Sequence, residues 1–191
     1  MRICVYGASS NAIDPAYLQA GELLGREMAK RGHGLVFGGG ANGMMGASAR
    51  GMSEIGGEII GVAPTFFNVD GVLYEACTQM VYTETMRQRK QIMEEQADAF
   101  VMTPGGIGTF EEFFEILTLK QLGRHNKPIA VLNTKGYYDA MDQMLKTAVE
   151  QNFMKEACLD LYGIFEDVNV LLDYLEQYAE NEKDVTQMKN I

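Results

Sequence analysis

The sequence predicts an α/β fold, a doubly wound parallel sheet with helices on both of its faces. Short runs that are apolar throughout alternate with longer amphipathic stretches along the 191 residues. Such runs are typical of parallel strands that are buried on both faces, and the stretches between them are long enough to form crossover helices. Glycine clusters follow several of the runs, at the sheet edge where folds of this class bind their ligands.

The first half of the chain divides into strand–helix units. Strands are predicted at 3–6, 35–37 and 58–62, with helices from about 14 to 31 and from about 43 to 54. Asp14 and Pro15 are typical of a helix start, because aspartate caps free N–H groups and proline fits the first turn. Gly32 is expected to end this helix. Another strand is predicted at 78–82, and we expect Thr83 to cap the helix that runs to about 96.

The second half repeats the alternation. Strands are predicted at 99–102, 129–132 and 161–165, and helices from 109 to about 122, from about 137 to 151, and through 178. One domain accommodates a chain of this length. We therefore expect a single Rossmann-like domain over residues 1–180, followed by a polar C-terminal tail over residues 181–191.

Composition limits the range of partners. The net charge of −10 repels nucleic acid phosphates, so we expect no nucleic acid partner. No run of about 20 apolar residues is present, so we expect no membrane span. The first residues predict a strand rather than a secretory signal, and the cysteines are scattered rather than paired. These features favour a cytoplasmic protein.

The segment from Pro104 to Glu112 follows a predicted buried strand and opens a helix. Its glycines leave backbone N–H groups uncovered, and a helix N-terminus adds unpaired donors and partial positive charge. We therefore predict that this turn binds an anion and that the Thr109 hydroxyl contributes. No Lys-Ser/Thr pair follows the glycines, so the turn is not a P-loop. The alternative is a plain tight turn in which Thr109 is the N-cap.

Glu112 has two interpretations. Thr109 and Glu112 have the spacing of a capping box, in which the glutamate only satisfies the N–H of the cap residue. Alternatively, the carboxylate points into a pocket beside the anion-binding turn. The local sequence leaves both open. Glu111 and Glu115 are more easily explained as an edge that faces solvent or a partner chain.

Two further motifs follow predicted strands. Gly38-Gly39-Gly40 is costly in conformational entropy, so we expect a ligand or a neighbouring loop against its backbone, with a structural turn as the alternative. Ser9 adds a hydroxyl at the same sheet edge. Arg89 and Lys90 share a partly apolar helix face with Met86, which favours a pocket lining over a solvated basic helix.

These motifs together resemble the LOG family of cytokinin riboside 5′-monophosphate phosphoribohydrolases. The family hallmark PGGxGTxxE is matched from Pro104 through Glu112, and the resemblance extends to residues 38–46, 86–90 and 133–138. One departure is Arg87, where the family usually has histidine. The family has also carried the name lysine decarboxylase, but nothing in the sequence argues for the pyridoxal phosphate lysine that such an enzyme needs.

The resemblance implies hydrolysis of the N-glycosidic bond of an adenosine 5′-monophosphate, often N6-modified, to free base and ribose 5-phosphate. It implies Arg89 and Glu112 as the catalytic pair, no metal or cofactor, and a homodimer. The expected substrate-binding residues, from the resemblance and the glycine turns, are Ser9, Gly39, Gly40, Lys90, Gly105, Gly106, Ile107, Gly108, Thr109, Phe110, Glu111 and Thr118. Two alternatives stay open, a non-catalytic binder similar to molybdenum-cofactor carrier proteins and a broader nucleoside-monophosphate nucleosidase.

Overall fold

The computed structural model describes residues 1–178, in which seven parallel strands form one sheet. The strands are β1 (Arg2–Tyr6), β2 (Gly34–Phe37), β3 (Ile59–Pro64), β4 (Gln79–Thr83), β5 (Ala99–Met102), β6 (Ile129–Leu132) and β7 (Gly163–Phe165). Their order in the sheet is β4-β3-β2-β1-β5-β6-β7, and every neighbouring pair is parallel. The predicted polar tail at 181–191 lies outside the described residues.

Within residues 1–178, six α-helices cover both faces of the sheet; five of them connect consecutive strands, and the sixth follows β7. They are α1 (Pro15–Lys30), α2 (Gly43–Ile55), α3 (Met86–Gln96), α4 (Ile107–Gln121), α5 (Asp139–Glu150) and α6 (Val168–Gln177). Buried residues of α1, α2 and α6 form one core layer, and those of α3, α4 and α5 form the other. The predicted doubly wound α/β fold is therefore confirmed. Within the described residues, no helix is both long and apolar enough to span a bilayer.

The apolar strands reflect burial on both sides of the sheet. In β1, Ile3 and Val5 face the layer of α1 and α2, whereas Cys4 and Tyr6 face the layer of α3 and α4. All four side chains are buried. Because successive strand residues point to opposite faces, a sheet covered on both faces requires apolar residues at every position.

The direction of winding reverses between β1 and β5. The chain moves outward from β1 through β2 and β3 to β4, and then returns to place β5 on the other side of β1. The connections that leave the carboxyl ends of β1 and β5 therefore diverge and leave a crevice between them. Doubly wound sheets bind their ligands at such a point. Residues 7–10 and 103–106 form its walls.

The start of α3 differs from the sequence prediction. The helix is capped by Thr85 rather than Thr83. The Thr85 hydroxyl accepts a hydrogen bond from the Gln88 N–H at 3.2 Å, and the Gln88 side chain accepts one from the Thr85 N–H at 3.2 Å. This reciprocal pair is a complete capping box, so the helix begins at Met86.

Other boundaries move by about one turn or less. α4 begins at Ile107, two residues before the predicted start at Thr109, because Gly106 is extended and serves as the N-cap. α5 begins at Asp139, since residues 134–136 form a 3-10 turn. β7 is shorter than predicted because residues 156–161 form another 3-10 segment.

Candidate active site

Two adjoining cavities lie at the carboxyl ends of the strands, one in the crevice between β1 and β5 and the other beside it, next to the turn that follows β2. The first, of about 310 Å³, lies at the start of α4, and we call it the α4 cavity. The second, of about 320 Å³, is bounded by the loop between β3 and β4, and we call it the loop cavity. Ser9, Met45 and Arg89 border both cavities, so the two belong to one site.

A larger cavity, of about 750 Å³, lies at the opposite edge of the sheet, between Arg2, Gly34 and Glu58. None of the site residues that the sequence predicts lies in the wall of this larger cavity. It lies at the amino ends of the strands, whereas ligands of doubly wound sheets bind at the carboxyl ends. Size is therefore a poorer guide here than position in the fold.

The α4 cavity has uncovered backbone at its edge. A Cβ atom added at Gly106 or at Gly108 would meet nothing within 4 Å, and residues 106–108 are exposed. The first N–H groups of a helix have no acceptor within the helix, and the helix dipole adds partial positive charge there. No side chain caps α4. This is the geometry of an anion-binding site.

The turn before α4 packs tightly against β1. The Ala8 N–H donates to the Pro104 carbonyl at 3.0 Å. A Cβ atom at Gly105 would lie 2.1 Å from the Thr109 Oγ1 atom and 2.9 Å from the Ala8 nitrogen. Gly105 is therefore a packing requirement, whereas the neighbouring Gly106 faces open space. Thr109 lies inside the first turn of α4, so the interpretation that it is the N-cap is wrong.

Glu112 and Arg89 meet at the inner wall of the α4 cavity. Arg89 Nη1 lies 3.3 Å from Glu112 Oε1, and the two side chains are only 9% and 10% exposed. Both residues line the cavity. Since Gly106 is the cap of α4 and no side chain contributes to capping, the capping-box interpretation of Glu112 is also wrong.

Burial raises the pKa of the Glu112 carboxyl group to about 7, although the Arg89 guanidinium beside it acts in the opposite direction. Loss of hydration disfavours the carboxylate, and the neighbouring Glu111 charge adds to that effect. Both protonation states of Glu112 are therefore populated near neutral pH. A carboxyl group with this property, beside a guanidinium in a cleft, is typical of a catalytic acid or base.

Arg89 is fixed from several sides. Its Nε atom donates to the Val62 carbonyl of β3, at 3.2 Å. A Cβ atom at Gly38 would lie 1.8 Å from Arg89 Nη2. The first residue of the triple glycine is therefore glycine because the guanidinium occupies that space. With Glu112 as its ion-pair partner, Arg89 has little freedom to move.

The other two glycines of this turn accommodate a neighbouring loop. Gly39 has φ of +77°, which favours glycine, and its carbonyl accepts a hydrogen bond from the Tyr74 N–H at 2.8 Å. Gly40 forms an antiparallel bridge with Leu73. The neighbouring loop that the sequence predicts against this backbone is therefore the connection between β3 and β4.

The loop cavity is largely apolar. Phe67, Val72 and Leu73 of the connecting loop face Met45 of α2 across it. Asn42 adds a polar group at its margin. A flat apolar group of modest size suits such a lining. The sequence alone does not identify the three loop residues as site residues. The one signal is the adjacent pair Phe66-Phe67 in a connecting segment, and it concerns only Phe67.

Some of the predicted binding residues lie outside both cavities. Lys90 Nζ forms ion pairs with Glu111 Oε1 at 2.5 Å and with Glu115 Oε2 at 2.8 Å, on the outer side of α3 and α4. Phe110 packs against Tyr138, with ring centroids 6.1 Å apart. Thr118 is exposed two turns further along α4. Lys90, Glu111, Phe110 and Thr118 are thus not brought to the site in this chain.

The remaining predicted residues do meet at the crevice. Ser9, Gly40, Gly106, Ile107, Gly108 and Thr109 line one or both cavities together with Arg89 and Glu112. Gly39 and Gly105 lie directly beside them in the same turns. Arg87, which stands where the resembling family usually has histidine, is exposed on α3 and lines neither cavity.

Fold and site together define a class of α/β proteins in which the crevice where the winding of the sheet reverses has the geometry of a site for a small anion. Three observations place the chain in it: the uncovered start of α4, the buried Arg89–Glu112 pair beside it, and the apolar loop cavity.

Comparison with known proteins defines the family. Residues 45–175 match the protein family described as "Possible lysine decarboxylase". Cytokinin riboside 5′-monophosphate phosphoribohydrolase LOG2 of Arabidopsis thaliana is 34% identical over 183 residues, 96% of this chain and 86% of that protein. LOG7 of the same plant, which has the same descriptive name, is 35% identical over 185 residues, 97% and 85% of the two chains. The chain belongs to the LOG family of hydrolases.

Solved structures share the fold. The molybdenum cofactor binding protein of Rippkaea orientalis superposes with a TM-score of 0.70 at 20% identity, over 92% of this chain and 94% of that one. The molybdenum cofactor carrier protein of Chlamydomonas reinhardtii gives a TM-score of 0.70 at 23% identity, over 92% and 96%. At these identities the similarity extends to architecture alone.

Proposed function

We propose that this protein hydrolyses the N-glycosidic bond of adenosine 5′-monophosphates, either AMP or N6-modified cytokinin riboside 5′-monophosphates. The products are the free base and ribose 5-phosphate. One observation carries the proposal: Arg89 and Glu112, 3.3 Å apart and buried, line the same cavity as the uncovered backbone of Gly106 and Gly108. The names of the relatives support it further.

In this proposal the 5′-phosphate binds at the start of α4. The N–H groups of Ile107 and Gly108 belong to the first helical turn, where backbone donors and the helix dipole favour an anion. Arg89 borders the same cavity with its planar array of donors. Because the protein carries a net charge of −10, affinity for a dianion depends on such local donors.

The hydrolysis step follows from the buried pair. As the bond between C1′ and the base nitrogen breaks, positive charge develops on the ribose. The ionised Glu112 carboxylate stabilises that charge or orients the water whose oxygen bonds to C1′. The water oxygen and one hydrogen become the C1′ hydroxyl, the other water proton passes to solvent, and the base nitrogen takes up a proton from solvent as it leaves. Arg89 keeps the carboxylate oriented through their ion pair.

The base would occupy the loop cavity. Arg89, Ser9 and Met45 lie between the two cavities, so a ligand with its phosphate at α4 can extend its base toward Leu73. The apolar lining suits an adenine ring and an apolar N6 substituent. This supports adenine nucleotides as the substrate class.

The test is incubation with AMP, N6-isopentenyl-AMP and adenosine, with chromatography of the free base and of ribose 5-phosphate. We expect release from both monophosphates and little from adenosine. No release from any of them, together with tight binding of a phosphorylated pterin, would favour the carrier-like alternative instead. Equal rates on GMP and pyrimidine monophosphates would favour a broader nucleosidase.

We further infer that the protein is a homodimer that uses the outer face of α4. Glu111, Glu115 and Thr118 share that face by helical spacing and are all exposed. Sedimentation at several protein concentrations tests this inference, and a monomer throughout would contradict it.

A further inference from the structure

The segment 133–138 has no role in the proposed reaction, yet it contacts the anion-binding turn. It follows β6, the strand next to β5. Asn133 fixes its conformation, because its Oδ1 atom accepts from the Tyr138 N–H at 2.7 Å and its Nδ2 atom donates to Asp139 Oδ1 at 2.7 Å. Two adjacent tyrosines, Tyr137 and Tyr138, are thereby held beside the turn that precedes α4.

Both tyrosine hydroxyls donate to carbonyl groups of that turn. Tyr138 Oη donates to the Thr103 carbonyl at 2.7 Å, and Tyr137 Oη donates to the Gly105 carbonyl at 2.8 Å. Between them, the Pro104 carbonyl accepts from the Ala8 N–H at 3.0 Å. Three consecutive carbonyl groups are therefore directed toward protein donors.

This arrangement fixes the direction of the Gly106 N–H. The described residues contain no cis peptide bond, and in a trans peptide the C=O and the following N–H point in opposite directions. Since the Gly105 carbonyl points toward Tyr137, the Gly106 N–H points away from Tyr137. Gly106 itself lines the α4 cavity and has open space where a Cβ would be.

We propose that Tyr137 is a positioning residue for phosphate binding, because its hydroxyl sets the orientation of the Gly105–Gly106 peptide and so of the Gly106 N–H. The proposal rests on the proposed function, in which a 5′-phosphate binds at the start of α4. A peptide that is oriented before the ligand arrives costs less to order on binding.

The packing of the two tyrosines separates their roles. Tyr138 is 1% exposed and belongs to the core, so its loss would destabilise the fold. Tyr137 is 41% exposed and makes edge contacts with Tyr138 at 4.9 Å and Tyr17 at 5.9 Å between ring centroids. Tyr137→Phe keeps both ring contacts and removes the hydroxyl, which makes it the informative variant.

The test is calorimetric binding of AMP and of adenosine to the wild-type protein and to Tyr137→Phe, each in the Glu112→Gln background so that AMP is not consumed, with AMP kinetics of the corresponding active proteins alongside. We expect AMP affinity to fall roughly 3- to 10-fold, the value of one net hydrogen bond, with adenosine affinity unchanged. KM for AMP should rise by the same factor while kcat stays within about twofold. Tyr17→Phe is the matched control, because it removes a hydroxyl from the ring that contacts Tyr137. Its affinity for AMP should equal that of the wild-type protein.

Equal AMP affinity in the wild-type protein and Tyr137→Phe would overturn the inference, as would equal losses for AMP and adenosine. Wild-type protein that binds AMP no better than adenosine would overturn the proposed function as well, since no phosphate site would exist. A third outcome is that the wild-type protein binds AMP and releases its base, and Tyr137→Phe binds and cleaves AMP equally well. This result would support the proposed function and show that Tyr137 takes no part in phosphate binding.

Discussion

The two glycine-rich turns of the site are alike in sequence and differ in what their glycines contact. At Gly38 the space of a Cβ atom is taken by the Arg89 guanidinium, and at Gly40 the backbone pairs with Leu73. At Gly106 and Gly108 a Cβ atom would meet nothing within 4 Å. The first turn thus packs against Arg89 and the connecting loop, although Gly38 and Gly40 also line the loop cavity, whereas Gly106 and Gly108 of the second turn leave the backbone open to a ligand.

The difference shows that a glycine cluster has two distinct physical causes. A glycine in contact with protein atoms makes room for a neighbouring group, which is the Arg89 guanidinium at Gly38 and Thr109 at Gly105. A glycine in open space marks a backbone that a ligand must approach. The substitutions below are expected to separate the two causes.

The largest effect is expected at Glu112. Its partner Arg89 lies against the first turn, and its own helix α4 begins at the second turn. Glu112→Gln keeps the shape of the side chain and removes the negative charge, so we expect kcat for AMP to fall about 10³-fold. Glu115→Gln is the matched control, because Glu115 is exposed and paired with Lys90. Steady-state kinetics on both variants measure the effect. Comparable activity in the two would show that Glu112 takes no part in the reaction.

The turn that holds Arg89 gives the next effect. In Gly38→Ala the new methyl group would lie 1.8 Å from Arg89 Nη2, so the guanidinium must leave its present position beside Glu112. We expect kcat/KM to fall about 100-fold, as is typical when a catalytic group is misplaced. Gly40→Ala is the comparison, since its methyl group would meet the Met45 methyl at 3.2 Å, and it should lose far less. Similar losses in both variants would contradict the role assigned to Gly38.

The pH dependence follows from Glu112. With its pKa raised to about 7 and the carboxylate as the active form, kcat/KM should fall about tenfold per pH unit below that value. Arg89, Lys90, Glu111 and Glu115 are the charged groups around it. A rate that instead rises as the pH falls through 7 would identify Glu112 as a general acid.

The same shift predicts a stability difference. A raised carboxyl pKa means that folding favours the protonated form, so this contribution is complete below the ordinary value of 4.5 and is lost as the pH rises to about 7. The unfolding free energy of the wild-type protein should therefore fall by about 3 kcal/mol relative to Glu112→Gln across that window. Denaturant titrations of both proteins at the two ends of this pH window measure the difference. The same pH dependence of the unfolding free energy in both proteins would contradict the raised pKa of Glu112.

The smallest effects are expected at the turn that leads into α4, where one substitution should raise the stability of the protein and weaken its binding of AMP. Gly108→Ala introduces a methyl group with no protein neighbour into the first turn of α4, so we expect stability to rise by about 0.5–1 kcal/mol. The same methyl group faces the proposed phosphate, so KM for AMP should rise several-fold. Thermal unfolding and kinetics on one preparation test both. An unchanged KM for AMP would show that the phosphate does not bind beside Gly108.

The fold could be predicted from the sequence because the strands are apolar at every position, which is typical of a parallel sheet covered on both faces. Arg89 and Glu112 could be predicted through a motif, but the role of Glu112 stayed open, since a capping box has the same spacing. Only the start of α4 at Ile107 resolves that ambiguity. Lys90 is expected from the sequence to bind substrate but pairs with Glu111 and Glu115 instead, because its partner depends on how α3 lies against α4. Phe67 and Leu73 come from a loop whose path no local pattern determines.

The difference between the two turns is tested most directly by amide NMR during a titration with ribose 5-phosphate, which carries the phosphate but no base to enter the loop cavity lined by Gly38. We predict that the largest shifts occur at the N–H groups of Gly106, Ile107 and Gly108, which should saturate together, while those of Gly38 and Gly39 move little. Large shifts at Gly38 and Gly39 with an unmoved Gly106 would contradict the assignment of the phosphate to the start of α4.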